Sequence, residues 1–326
     1  MTDNYEMQFQ DIWRDLLRKY PNAKPCANPQ GFVLGGQPAA GKSERLNQIF
    51  NCLNGNVLII NADEFRRYHP QFDAIQAKYG DDAPKHTAEF SGKMAEQTLH
   101  KALTERYNIA IEGTFRTAQT PLNTLDLMKS HGYKTTVYIQ TCPKEISWQG
   151  TIKRYNAMIK AGLTPRAVDK AHHDLVCNRL PENTDIVYQS GKADEFQVYS
   201  RNGLIFDSRT SQELPSKIIQ QELDKTPLIF AKETYIALAK TLNGQDKVRL
   251  KMYQDTVAQS IEQEKEAHQK QAAWLHFYQY VAKHIKDGKL NLPKPIPTEQ
   301  AQQMMKQLTQ SQSQQQTIQT PKKHKR

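Results

Sequence analysis

The chain has 326 residues, with 44 Lys and Arg against 34 Asp and Glu, a net charge of +10 and 38% hydrophobic residues. That length supports one or two domains around a full α/β core, and no stretch approaches the ~20 apolar residues that a bilayer crossing needs. Cys26, Cys52, Cys142 and Cys177 form no C-x-x-C pair, and Met1–Glu6 lacks the basic-then-apolar layout of a signal peptide, so a cytoplasmic protein with reduced thiols is expected.

Met7–Tyr20 reads as an amphipathic helix, with Phe9, Ile12, Trp13, Leu16 and Leu17 on one face. Pro21–Pro29, with three prolines, is a linker. Short apolar runs then alternate with helical stretches. Phe32–Leu34, Val57–Ile60, Asn108–Ile111 and Thr135–Gln140 are expected strands; Ser43–Phe50, Ala88–Arg106 and Leu122–His131 are the helices between them. Runs that are apolar throughout imply strands buried on both faces, hence an α/β fold with a parallel sheet flanked by helices.

Lys144–Arg179 is helical, broken at Gly162 and Pro165. Ile186–Tyr188, Phe196–Tyr199 and Leu204–Phe206 read as strands, the last two joined by the turn Arg201–Gly203. Beyond Ser208 the character is helical: Ser211–Leu223, Glu233–Leu242, then Asp246–Ile285 as either one long helix or two, since Glu262–Gln271 is almost wholly polar. Leu292–Pro297 must be extended, and Gln300–Arg326 has a disordered composition. The expected organisation is an N-terminal helix and linker (1–30), a P-loop kinase domain (31–208), a mostly helical C-terminal extension (209–290) and a Gln-rich, basic tail (291–326). Lys322, Lys323, Lys325 and Arg326 crowd the last five residues, so any nucleic-acid contact would run through that tail.

Gly36-Gln37-Pro38-Ala39-Ala40-Gly41-Lys42-Ser43 matches G-x-x-x-x-G-K-[ST] at every fixed position, between an expected strand and an expected helix. Its glycines let successive N–H groups turn toward phosphate oxygens, and the helix N-terminus adds its positive dipole end. Lys42 bridges the β- and γ-phosphates of ATP in such a loop, and the Ser43 hydroxyl is a ligand for Mg²⁺. The D-x-x-G and N-K-x-D motifs of a GTPase and the LSGGQ of a transporter ATPase are absent. A kinase for a small acceptor remains.

Asp63 lies three residues past the strand Val57–Ile60, at the carboxyl edge where ligands of open α/β sheets bind. It can take the proton of an attacking hydroxyl, or it can cap a helix starting near Glu64. Glu112 ends another apolar run, where a carboxylate needs a partner or solvent; Thr114 and Arg116 beside it can grip hydroxyls or phosphates. Arg154 and Arg166 flank the helical break. They are either solvated side chains or lid arginines that stabilise the charge of phosphoryl transfer. His172-His173 has no partner at metal-ligand spacing.

Four segments in this order, Gly35–Ser43, Asp63-Glu64-Phe65-Arg66-Arg67-Tyr68-His69-Pro70, Glu112–Arg116 and Gly150-Thr151-Ile152-Lys153-Arg154-Tyr155, resemble the zeta toxins of epsilon/zeta toxin–antitoxin systems. The likeness runs from about Gly31 to Ser208. It implies a kinase that phosphorylates the 3′-hydroxyl of the amino sugar of UDP-N-acetylglucosamine and so blocks peptidoglycan precursor synthesis. By this resemblance Lys42 and Ser43 hold ATP and Mg²⁺, Asp63 is the base, and Arg154 and Arg166 stabilise the transferring group. Glu112, Thr114 and Arg116 bind the UDP-sugar, with Glu96 and Thr124 in the same pocket, and a cognate antitoxin blocks the ATP site with a helix. The interval from Arg154 to Arg166 is about one residue shorter than the family pattern. A different small-molecule kinase and a nucleic-acid-associated ATPase are the competing readings.

Overall fold

A computed structural model describes residues 5–264 and 266–288. The chain divides into two compact units between Lys225 and Thr226.

The first unit is built on a six-stranded sheet, among the described residues, in the order β2-β3-β1-β4-β5-β6. Its strands are β1 (Gln30–Gly35), β2 (Leu58–Asn61), β3 (Ile109–Glu112), β4 (Lys134–Gln140), β5 (Glu195–Ser200) and β6 (Gly203–Asp207). The first five run parallel, with Val33 beside Ile111 on one side and Val137 on the other. β6 returns antiparallel to β5 at the edge, through the tight turn Arg201–Gly203 read from the sequence. The period of two along β1 explains its unbroken apolar run: Val33 enters the larger core, while Phe32 and Leu34 point to the opposite face.

That opposite face is covered by α2 (Lys42–Cys52), through Leu46 and Ile49. The larger core lies under α1 (Glu6–Lys19), α6 (Ala88–Thr104), α7 (Gln119–Ser130) and α9 (Lys170–Gln189). In α1 the buried residues Phe9, Ile12, Trp13 and Leu16 recur at three and four, so the helix expected at the N-terminus belongs to this core. α8 (Lys144–Lys160) precedes α9 and ends at the expected break, which spans Ala161–Asp169. α10 (Pro215–Leu223) packs on α9 and gives Ile219 and Leu223 to the same core, so the first unit continues past Ser208.

Two stretches depart from the sequence reading. Ile186–Tyr188 is the end of α9, not a strand. Val176, Cys177, Leu180, Thr184 and Val187 bury one helical face, whereas Ile186 is 44% exposed. A three-residue apolar run fits either geometry, and the 3.6-residue period upstream decides it. Residues 62–86, which carry no clear periodicity, form short helical pieces: α3 (Ala62–Phe65), a 3₁₀ turn at Arg66–Tyr68, α4 (Phe72–Tyr79) and α5 (Ala83–His86).

The second unit, among the described residues, contains α11 (Leu228–Lys240), α12 (Gly244–Glu262) and α13 (Ala267–Lys286) around Ala231, Tyr235, Leu250, Phe277, Tyr278 and Val281. Asp246–Ile285 is thus two helices that part within its polar middle. The expected extended segment Leu292–Pro297 and the tail 291–326 lie outside the described residues. No helix among the described residues is long and apolar enough to cross a membrane.

Candidate active site

The carboxyl ends of β2, β3 and β1 lie side by side, and each passes into one expected site segment: Asp63, Glu112–Arg116 and Gly36–Ser43. The three open on one cavity of 1020 Å³. This is the crevice that sheet topology alone designates for ligands.

The loop after β1 has a shape that few residues permit. Gly36 has φ 141° and Gly41 φ 113°, and Ala39 between them sits in the left-handed region at 58°. A β-carbon on Gly36 would stand 2.0 Å from the Gln140 carbonyl oxygen. The loop is pinned from outside, where Gln37 Nε2 donates to the Cys142 carbonyl at 2.7 Å and Arg201 Nη2 to that of Ala39 at 2.8 Å. α2 then starts at Lys42 with no side chain capping its first N–H groups, and a helix N-terminus left open in this way makes an anion cradle. Lys42 is buried. Its ammonium donates to the carbonyls of Gly36 (2.8 Å) and Gln37 (3.2 Å) and faces Glu112 Oε1 at 3.7 Å. Burial pulls its pKa below the ordinary lysine value, and the Glu112 carboxylate opposes that pull.

Asn61, the last residue of β2, holds two acids at once. Its Oδ1 accepts the Asp63 N–H at 3.0 Å and its Nδ2 donates to Glu112 Oε2 at 3.0 Å. Asn61 is therefore the N-cap of α3, and Asp63 lies inside the first turn with its carboxylate 55% exposed. The capping role open to Asp63 in the sequence belongs to Asn61. Across the cavity Thr114, Arg116 and the buried Thr124 complete the wall from β3 into α7. Phe115, at φ 57°, turns that loop, and Asn183 of α9 fastens it by donating to the Phe115 and Arg116 carbonyls at 2.9 and 2.8 Å.

Arg154 enters the cavity from α8. Burial first, then the charge of Arg166, holds its guanidinium below the usual arginine range, while Asp63 and Glu112 pull the other way. Arg166 sits in the break before α9, just ahead of the lining residues Ala167–Asp169. The two arginines are thus electrostatic neighbours, and only Arg154 lines the wall. Tyr155 donates to both carboxylate oxygens of Asp81 at 3.0 and 3.1 Å, joining α8 to the segment before α5.

Of the expected site residues, Pro38, Ala39, Gly41, Lys42, Ser43, Asp63, Glu112, Thr114, Arg116, Thr124 and Arg154 line the cavity. Gly36, Gln37 and Ala40 form the back of the loop, with Gln37 and Ala40 fully buried. Glu96 is exposed on α6 and does not line the cavity, because Met94, Ala95, Thr98 and Leu99 occupy the inward face of that helix. The cavity also exposes Asn61, Arg66, Lys85, Asp169 and His172, to none of which the sequence assigned a role in the site. Asn61 and Arg66 were findable as a capping residue and a D-x-x-R pair around Asp63. Asn183 was not, since its partners lie 68 and 67 residues away. Among the described residues no group of three His, Cys, Asp or Glu side chains is arranged to hold a metal ion.

A family model described as Zeta toxin matches residues 14–211. A protein of Streptococcus pyogenes named Toxin zeta is 33% identical over 224 residues, 68% of this chain and 78% of the relative. Toxin PezT of Streptococcus pneumoniae is 34% identical over 228 residues, 68% of this chain and 89% of that one. A solved structure from the PezAT chromosomal toxin–antitoxin system of Streptococcus pneumoniae superposes with a TM-score of 0.61 at 27% identity, covering 70% of this chain and 91% of the other. These matches span the sheet and every segment that opens on the cavity, and by them the chain belongs to the zeta toxin family.

Proposed function

We propose that this chain is the toxin of a toxin–antitoxin pair, and that it moves the γ-phosphoryl group of ATP to the 3′-hydroxyl of the amino sugar in UDP-N-acetylglucosamine or a related UDP-sugar. The observation that carries the reading is the meeting of the Lys42 cradle and Asp63 in one cavity of 1020 Å³. That volume stands at the top of the range of small-molecule sites, about 300–1,000 Å³, as two ligands meeting end to end require.

The cradle fits a triphosphate: its glycines clear the backbone, α2 offers an N-terminus that no side chain caps, and Lys42 supplies the charge. Bound Mg²⁺ would neutralise charge on the phosphates, with Ser43 at the head of α2 as its protein ligand. Lys42 then leaves its two carbonyl partners for phosphate oxygens. Asp63, exposed toward the cavity, accepts the proton of the sugar hydroxyl. Arg154, joined by Arg166 as the 161–169 break closes, offsets the charge that spreads over the equatorial oxygens. Glu112, Thr114, Arg116 and Thr124 hold the UDP-sugar. An antitoxin helix laid across the cradle would exclude ATP. A nucleotide-sugar substrate suits the cytoplasm.

The test is a panel of UDP-sugars incubated with ATP and Mg²⁺, read by mass. One added phosphate on UDP-N-acetylglucosamine is expected, and Lys42→Ala and Asp63→Ala each lower its rate by a factor on the order of 10² or more with the fold intact. No mass gain on any UDP-sugar removes the substrate assignment.

A further inference from the structure

The structure assigns Arg66 as the positioning residue of Asp63, a role that rests on the kinase reading above and extends it. Asp63 stands on a helix of four residues with more than half its carboxylate in solvent, so neither packing nor its own helix fixes its rotamer. Arg66 does. Its Nε and Nη2 both lie 2.9 Å from Asp63 Oδ1.

Arg66 can do this because its other end is anchored. Nη1 donates to the Pro84 carbonyl at 2.6 Å and to Thr87 Oγ1 at 3.1 Å. Thr87 is 1% exposed, and its hydroxyl in turn donates to the Ala83 carbonyl at 3.2 Å. The guanidinium is thus a strut from the buried start of α6 to one oxygen of an exposed acid. Its planar fork suits that task, where a flexible ammonium does not.

The consequence is an atomic asymmetry. Oδ1 accepts the Nε hydrogen bond and has Nη2 at ion-pair distance, while among the described residues no hydrogen bond reaches Oδ2. Oδ2 is therefore the oxygen that takes the proton. As the sugar oxygen bonds to the γ-phosphorus, its proton passes to Oδ2. The bond from that phosphorus to the bridging oxygen breaks, and ADP leaves with the electron pair. Arg66 takes no part in this exchange; it holds the accepting oxygen at the angle the exchange needs.

The test uses the full chain and the variants Arg66→Ala, Arg66→Lys, Thr87→Val, Asp63→Asn and Asp63→Asn/Arg66→Ala. Three quantities are read: kcat and KM for UDP-N-acetylglucosamine, its Kd without nucleotide by calorimetry, and the thermal midpoint. Arg66→Ala is expected to lower kcat about 10²-fold, the cost of a misplaced catalytic group, with KM and Kd within about threefold. Arg66→Lys recovers part of the loss. Thr87→Val, which removes one anchor of the strut together with the bond to Ala83, gives an intermediate kcat and the same Kd. On the Asp63→Asn background the Arg66 change adds nothing further, because both act through one group.

A tenfold rise in Kd, or losses that multiply in the double variant, would make Arg66 a direct grip on the acceptor and overturn the role. So would an unchanged kcat in both Arg66→Lys and Thr87→Val. If the wild-type chain phosphorylates no UDP-sugar, the substrate proposal has failed separately. The same variants are then read on basal ATP hydrolysis, where Asp63 orients water. There, non-multiplying losses uphold the strut and multiplying losses refute it.

Discussion

Gly36 shows how tightly single residues are constrained at this site. Its φ of 141° is open to glycine, and the Gln140 carbonyl leaves no space for a β-carbon. Gln140 belongs to β4, which pairs with β1, so a methyl group there pushes on the sheet as well as on the loop. Strain of this kind costs on the order of 1–3 kcal/mol. Gly36→Ala is therefore expected to lower the thermal midpoint and to weaken ATP binding at least tenfold, measured by a melting scan and a nucleotide titration. Unchanged ATP affinity would show that the cradle tolerates a reshaped backbone. At this scale the sequence was most readable where chemistry is local. The phosphate loop works through consecutive backbone groups, so eight residues announce it. Asp63 was visible as an acid past a strand end, but its surroundings were not: Arg66 draws its purpose from Pro84 and Thr87, 18 and 21 residues away.

Elements were legible in proportion to their periodicity. The four inner strands and the long helices of the first unit emerged from apolar runs and three–four spacing. The pieces between Ala62 and His86 did not, because even the longest, α4, has only eight residues and buries none of them. Ile186–Tyr188 misled because three apolar residues fit a strand or a helix end alike. The edge hairpin was read correctly, and its lock has a measurable pH dependence. Asp207, at the end of β6, accepts from Arg209 Nε (2.9 Å), Nη2 (2.6 Å) and backbone N (2.9 Å), and from Gln197 Nε2 of β5 (2.8 Å). The Arg209 hydrogen bonds, foremost, hold its carboxyl well below the usual aspartate range. A carboxyl depressed in the folded state stabilises fully above its unfolded value, about 3.9. That contribution fades as pH falls below about 4 toward the lower folded value. Asp207→Asn is therefore expected to melt lower than wild type at pH 7, with the two converging as pH drops from 4 to 2. Parallel curves over that range would mean that the hairpin draws no stability from the charge.

The whole chain joins two differently charged halves. Sixteen Lys and Arg and eight Asp and Glu follow Lys225, so +8 of the net +10 lies beyond the first unit. The surplus that could have suited anionic substrates is thus mostly remote in sequence from the cavity, where cations and acids alternate. The first unit also has a complete core of its own, from Phe9 in α1 to Leu223 in α10, and the second has a separate one around Tyr235, Phe277 and Val281. Hydrophobic burial is the main source of folding free energy, so a core that closes within residues 1–225 supports folding without the rest. A chain ending at Lys225 is expected to unfold in one cooperative transition within a few degrees of the first unit's transition in the full protein. It should also retain phosphoryl transfer. Because it carries only +2, it should leave a cation exchanger at markedly lower salt, since binding to a polyanionic surface scales with the charges engaged. Loss of cooperative melting on truncation would mean that the helices after Thr226 complete the kinase fold. Retained melting with lost activity would instead give the second unit a part in catalysis, which neither its sequence nor its separate core suggests.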